Sequence, residues 1–199
     1  MAALADDACL LAIFAVSDTI RESSVQAVRE LRELGVRTVM LTGDNEAAAR
    51  PIAEIAGVEE YRARLLPEDK LAAVETLAAS MQGGKVGMAG DGINDAPALA
   101  RADIGIAMAG AGTDTALETA DIALMDDDLR KIPRFVRLSR RVHGILIQNM
   151  SIALGVKALF FALTLAGHTS MWMAVFADVG TALMVVGNGL RAGRGNCQH

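Results

Sequence analysis

Short apolar runs alternate along the first two thirds of the chain with longer stretches in which apolar residues recur every three or four positions. Leu10–Val16 is the first run, and Glu22–Leu34 follows it with Val25, Val28 and Leu31 at helical spacing. Arg37–Leu41 then reads as a strand, Asn45–Ala56 as a helix, Pro67–Met81 as a helix opened by proline, and Lys85–Ala89 as a strand. Asp103–Ala107 and Ile122–Met125 are two further strands, separated by a helix that Thr113 or Asp114 is placed to cap. This βαβα order predicts an α/β fold, a parallel sheet with helices on both faces, since parallel strands need a long crossover between them.

The pattern changes at Leu129. Arg130, Lys131, Arg134, Arg137, Arg140 and Arg141 stud a helical stretch that runs without a breaker into the apolar segment Ile145–Ala166. That segment has 22 residues, enough at about 1.5 Å per residue to cross a hydrocarbon core of about 30 Å. Gly167-His168-Thr169-Ser170 breaks it, and Met171–Gly187 is a second apolar run, closed by Arg191 and Arg194. Bases flank the outer ends of the pair and none lies in the turn between. The positive-inside rule therefore predicts a transmembrane hairpin with both ends cytoplasmic. The domain reading is a cytosolic domain over 1–128, a basic stalk over 129–144, membrane helices at 145–166 and 171–190, and a cytoplasmic tail over 191–199.

Composition agrees with two solvents. Hydrophobic residues make up 52% of the 199 residues, too many for a disordered chain. Residues 1–128 hold 23 of the 24 acidic and 10 of the 19 basic residues, a net of −13, whereas residues 129–199 are net +8. The acidic first part presents neither a basic stripe nor stacking platforms, which argues against nucleic acid as a partner. Cys9 and Cys197 sit near opposite ends with no CxxC spacing, so they read as reduced thiols rather than a zinc site. Met1–Asp7 lacks the basic start of a signal peptide.

Two predicted strands run into acid-bearing turns. Val39-Met40-Leu41 leads to Thr42-Gly43-Asp44, and Val86-Gly87-Met88-Ala89 leads to Gly90-Asp91-Gly92-Ile93-Asn94-Asp95. Ligands of open parallel sheets bind at the carboxyl ends of the strands, so the two turns are placed to share a site. Glycines let the backbone approach a phosphate, Thr42 offers a hydroxyl, and Asp91 and Asp95 offer hard oxygen ligands for Mg²⁺. Lys70, at the head of the Pro67 helix, supplies a cation for a phosphoryl group.

These strings resemble a family. LTGDN at 41–45, LPEDK at 66–70, GDGINDAPALA at 90–100 and ADIGIAMAGAGTDTALETADIALM at 102–125 are similar to the phosphorylation domain of P-type ATPases, whose core is that of the haloacid dehalogenase superfamily. The resemblance runs from about Leu10 to Arg194 and points to the heavy-metal-transporting branch. It implies a partial haloacid-dehalogenase-like, Rossmann-like parallel sheet followed by a transmembrane helical hairpin, with ATP and Mg²⁺ as cofactors. It also implies that Thr42, Gly43 and Lys70, with Asp44 beside them, hold the aspartyl phosphate. Asp91, between Gly90 and Gly92, would bind Mg²⁺, and Asn94 and Asp95 would support the phosphoryl site.

The family's nucleophile is the aspartate of DKTGT, and no such string occurs here. Asp69-Lys70 is followed by Leu71. The nucleotide-binding, actuator and CPC-like motifs of the family are likewise absent, so the chain reads as the C-terminal third of a pump, needing the N-terminal part as partner. Two other readings stay open: a membrane-anchored phosphatase using Asp126-Asp127-Asp128, and a non-catalytic membrane subunit.

Lys157 and Asp178 are the only charges inside the two spans, and charges at that depth are costly enough to imply a function. Counted from the turn near His168-Thr169 at about 1.5 Å per residue, their depths agree within about 3 Å. Together with Asn149 and the Asp178-Val179-Gly180 string, the pair resembles the exporters of Zn²⁺, Cd²⁺ and Pb²⁺. On that resemblance Asp178 would be the metal ligand, Lys157 its counterion once the ion leaves, and Asn149 a further contact.

Overall fold

The computed structural model describes residues 2–6, 9–14, 20–81, 83–90, 93–108, 110, 118–167 and 170–193. It divides the chain into two compact units, Met1–Pro133 and Arg134–His199.

The first unit carries the strands β1 (Ala2–Asp6), β2 (Cys9–Phe14), β3 (Val39–Leu41), β4 (Glu60–Arg62), β5 (Gly87–Gly90), β6 (Ile104–Met108) and β7 (Ile122–Leu124). Its helices are α1 (Glu22–Glu33), α2 (Glu46–Ala56), α3 (Pro67–Ser80) and α4 (Ala96–Arg101), and a 3-10 turn, Ile93–Asp95, leads into α4. β3 pairs in parallel with β4, and β5, β6 and β7 form a parallel sheet in that order. These pairings match the expected class.

The N-terminus corrects the expectation. The first apolar run is one arm of an antiparallel hairpin, with Ala2 opposite Phe14 and Asp6 opposite Cys9. Two residues between strands leave no length for a crossover, so only an antiparallel pair can close. β4 and α4 are also additions to the predicted list. The predicted helix start at Thr113 or Asp114 lies outside the described residues.

Local chemistry explains the boundaries. Asn45 caps α2 by accepting a hydrogen bond from Ala48 N at 3.0 Å, and Gly57 ends it at φ 72°, a left-handed position suited to glycine. Pro67 opens α3, and Asp69 Oδ2 accepts the otherwise orphaned N–H of Leu66 at 2.9 Å.

Among the described residues, eight of the twelve that form the buried hydrophobic core are alanines: Ala27, Ala49, Ala53, Ala56, Ala73, Ala96, Ala98 and Ala107. Leu99 and Ala107 form the centre, with Met88 and Ala120 packed on them. Such small side chains bring backbones close. A Cβ added to Gly105 in β6 would lie 2.8 Å from Leu99 O and 3.4 Å from Ala120 Cα.

The second unit holds helix α5 (Lys131–Leu165), whose first residues belong to the preceding unit, and α6 (Met171–Gly189). Both are long and apolar enough to cross a membrane, with mean hydropathies of 1.7 and 1.4. The stalk and the first predicted span are one uninterrupted helix. Gly167, at φ 73°, lies just past its end, and Ser170 caps α6 by accepting from Met173 N at 3.4 Å.

The Gly105 contact generates a prediction. Gly105→Ala sets a methyl group against main-chain atoms that cannot rotate away, and overpacking of this kind costs about 1–3 kcal/mol. Pulse proteolysis of the full chain in detergent, across a denaturant series, should show a lower midpoint for the first unit. An unchanged midpoint would mean that β6 and α4 separate at little cost.

Candidate functional site

The first acid-bearing turn follows β3 directly. Thr42 N donates to Arg62 O at 3.0 Å, which extends the β3–β4 ladder by one residue, and Leu65 N returns a bond to Thr42 O at 3.0 Å. Arg64, at φ 57°, turns the chain so that its N–H reaches Asp44 O at 2.7 Å. Within the turn, Thr42 Oγ1 donates to Asp44 Oδ2 at 2.9 Å while accepting from Asp44 N at 3.1 Å. Gly43 and Asp44 are exposed. The turn is thus stapled to the loop that precedes α3, and so to the helix that carries Lys70.

Lys70 lies in the first turn of α3, and its Nζ donates to Asp95 Oδ1 at 2.7 Å. Both side chains are largely buried, at 16% and 11% exposure. Asp95 is the one buried charged residue among those described. It ends the 3-10 turn after β5, so the ion pair ties the head of α3 to the carboxyl end of the first strand of the three-stranded sheet. A Cβ on Gly90, the last residue of β5, would lie 2.8 Å from Asp95 Oδ2. Glycine is therefore the residue that lets the end of β5 pack this closely on the carboxylate.

Of the predicted phosphoryl-site residues, the structure joins Lys70, Asp95 and Gly90. Asn94 is exposed on the same 3-10 turn. Thr42, Gly43 and Asp44 form their own closed turn, connected to Lys70 through residues 62–66, and no direct bond from them to Lys70 or Asp95 is present. Asp91 and Gly92 lie outside the described residues. The space Gly90 leaves beside Asp95 Oδ2, together with all-oxygen carboxylate donors, suits a hard cation such as Mg²⁺. Among the described residues no three acidic, histidine or cysteine side chains gather into a metal cluster, so such a site would need Asp91.

The acidic run near the start of α5 is committed to structure. Asp126 pairs with Lys131 at 2.7 Å and Asp128 with Arg130 at 2.7 Å, while Asp127 Oδ1 accepts from Gly110 N at 2.9 Å. The Lys131 hydrogen bond holds Asp126 below the usual carboxylate range, and Asp128 raises Arg130. These contacts fasten the root of the helix, and the run follows β7, the last strand, rather than the end of a first strand where a nucleophile pair is expected.

In the second unit, Lys157 and Asp178 line one cavity of about 70 Å³ between α5 and α6, with Phe160, Ala177 and Thr181. That volume is well above the ~10–15 Å³ that one water needs. No direct ion pair joins Lys157 and Asp178. They face each other across the cavity. Asn149 is engaged elsewhere: Asn188 Nδ2 donates to Asn149 Oδ1 at 2.8 Å, and Arg191 Nη1 donates to Asn188 Oδ1 at 3.2 Å. Asn188 escaped the sequence analysis. The signal was present, because Asn149 and Asn188 are equally far along the chain from the turn at 168–169.

Comparison with known proteins places this geometry. A family model described as haloacid dehalogenase-like hydrolase matches residues 2–103. A probable cadmium-transporting ATPase of Listeria monocytogenes is 50% identical over 183 residues, covering 92% of this chain and 26% of that protein. A zinc-transporting ATPase of Synechocystis is 48% identical over 177 residues, covering 88% of this chain and 24% of the relative. Among solved structures, a zinc-transporting PIB-type ATPase in its E2.Pi state superposes with a TM-score of 0.82 at 49% identity, covering 88% of this chain and 28% of the other. The chain therefore spans about a quarter of the length of these relatives, rather than the third expected from its motifs.

The buried pair yields the second prediction. Lys70→Ala leaves Asp95 as an unpaired buried carboxylate and should destabilise the first unit by roughly 3–5 kcal/mol, whereas a Lys70→Met/Asp95→Leu double variant should recover most of that loss. Denaturant midpoints of the two variants test it; equal loss in both would assign the cost to packing rather than to charge.

Proposed function

Because the chain belongs to the haloacid dehalogenase-like hydrolase family, in the branch of the heavy-metal-transporting P-type ATPases, we propose that it forms part of an ATP-driven exporter of divalent heavy-metal ions, Zn²⁺, Cd²⁺ or Pb²⁺. The observation that carries this reading is the combination, in one chain, of a buried lysine–aspartate pair at a strand end and two helices whose apolar segments hold only two charges, both lining one cavity. A phosphatase has no use for the second feature, and a simple channel has none for the first.

In this reading Lys70, held by Asp95, sets a fixed cation where a phosphoryl group gains negative charge. The Thr42-Gly43-Asp44 turn offers a hydroxyl and an unobstructed backbone on the approach. Mg²⁺, when bound through Asp91, supplies further positive charge to the phosphoryl oxygens. The phosphoryl group needs a carboxylate to accept it, since neither Lys70 nor Mg²⁺ can, and the DKTGT string that carries the family's accepting aspartate does not occur in these 199 residues. ATP is the donor in the complete pump.

At the membrane pair, the Asp178 carboxylate would bind the metal ion, and Lys157 across the cavity would balance the carboxylate after the ion departs. No bare carboxylate is then left in low dielectric once the ion has gone. Both termini on the cytoplasmic side and a bacterial plasma membrane complete the reading, on the strength of the basic flanks.

Two outcomes are expected. The 199-residue chain alone, incubated with labelled ATP and Mg²⁺ and precipitated in acid, should retain no hydroxylamine-sensitive label; retained label would require a nucleophile within it. In the reconstituted complete pump, Asp178→Ala should abolish metal binding, and Lys157→Ala should spare binding while slowing metal-stimulated turnover. Transport restored by a Leu/Leu double variant would show instead that the pair only docks the helices.

A further inference from the structure

Half-buried positions mark the seam between α5 and α6. On α5 they include Ile145, Asn149, Ala153, Val156 and Phe160, and on α6 Ala177, Thr181, Val185 and Asn188, each set spaced by three or four residues as one packed helix face. Thr181 spends its hydroxyl on its own helix, donating to Ala177 O at 2.6 Å. The two asparagines instead reach across. Asn188 Nδ2 donates to Asn149 Oδ1 at 2.8 Å and, more weakly, to Gln148 Oε1 at 3.4 Å.

The asparagine pair shares its face with the charged cavity. Val156 and Phe160 line that cavity from α5, 7 and 11 residues after Asn149, while Thr181 and Ala177 line it from α6, 7 and 11 residues before Asn188. Seven and eleven residues are close to two and three helical turns, about 10.5 and 16.5 Å. The cavity therefore lies between two pins, the turn after Gly167 at one end and the asparagine pair at the other. Lys157 and Asp178 make no bond to each other across it, so they do not set the register of the helices themselves.

A seam of apolar side chains in hydrocarbon leaves register loose, because lipid tails contact a leucine as favourably as another helix does. A hydrogen bond has length and direction, and a single asparagine in a helix seam specifies register at a cost in stability. Arg191 sets the direction here. Its Nη1 can only donate, and it donates to Asn188 Oδ1 at 3.2 Å, so Asn188 turns Nδ2 toward α5 and Asn149 answers with its oxygen. We propose that Asn149 and Asn188 are positioning residues whose bond is a register key, holding Asp178 at the depth of Lys157 on the opposite wall of the cavity. Asn149 is thereby committed to α6 and not to an ion. The use of that register for metal rests on the reading of the cavity as a transport site.

The test measures register without metal. The full chain, with Cys9→Ser and Cys197→Ser, is spin-labelled at two exposed positions, Leu165→Cys on α5 and Val186→Cys on α6, and double electron–electron resonance in phosphatidylcholine vesicles gives their separation. The labels stand at opposite ends of the helix pair, so a slip of one turn, about 5.4 Å, changes that separation by several ångström. With the key intact one narrow distance is expected, and Asn149→Asp, which keeps the accepting oxygen, should preserve it. Asn149→Leu/Asn188→Leu should lose the single distance to a broad or doubled distribution. Should that variant fail to insert, Asn188→Leu alone decides by the same readout. In the complete pump the leucine pair should raise the metal concentration needed for half-maximal turnover, whereas Asn149→Asp should leave it near that of the unaltered pump. One narrow distance in the leucine pair overturns the proposal. So does metal binding that tightens in Asn149→Asp at unchanged distance, which would mark Asn149 as an ion ligand. Metal binding that survives Asp178→Ala would instead remove the transport reading and leave the register result standing.

Discussion

The 2.7 Å contact between Lys70 Nζ and Asp95 Oδ1 fixes three elements at once: the head of α3, the end of β5 and the entry to α4. A carboxylate this buried is tolerable only with a partner, and the lysine can reach it only because Pro67 and the Asp69 cap start α3 at the right residue. Everything that would approach a phosphoryl group is arranged around that pair. Gly90 lets the end of β5 pack against the carboxylate, and the loop over residues 62–66 joins the Thr42 turn to the lysine's helix. The charges that would act on a ligand are therefore also the charges that hold the fold's open edge together.

Much of this was legible in the chain before any coordinates. The strands at Arg37–Leu41, Lys85–Ala89, Asp103–Ala107 and Ile122–Met125 lie within two residues of those observed, because each is a β-branched or apolar run bounded by glycine or acid. β4 was not legible. Glu60-Tyr61-Arg62 carries two charges in three residues, and it is a strand only because its backbone completes the ladder of β3. α4 was hidden by Pro97, which reads as a breaker but sits in the first turn, where a missing N–H costs nothing. The hairpin partner Ala2–Asp6 consists of three alanines, one leucine and an acid, with no period to mark it.

The site was legible as a set of residues but not as a set of contacts. Lys70 and Asp95 are 25 positions apart, and no local pattern couples them. The membrane helices were more transparent, because two antiparallel helices joined by one turn obey simple counting. The same count that matched Lys157 with Asp178 also matches Asn149 with Asn188. The acidic run at 126–128 has the spacing of a catalytic pair but the wrong place in the chain, past the last strand rather than after a first one, and its carboxylates are engaged near the base of α5.

The alanine-rich centre of the first unit has a thermodynamic consequence. Alanine loses no side-chain rotamer freedom on burial, so each such contact forms at low entropic cost. It also removes little apolar surface from water, and heat-capacity change follows apolar surface. A unit assembled this way has a shallow stability curve, held up by the closeness of main chains rather than by a large dry core. Its resistance to unfolding then varies little with temperature and depends chiefly on whether the backbones can still approach.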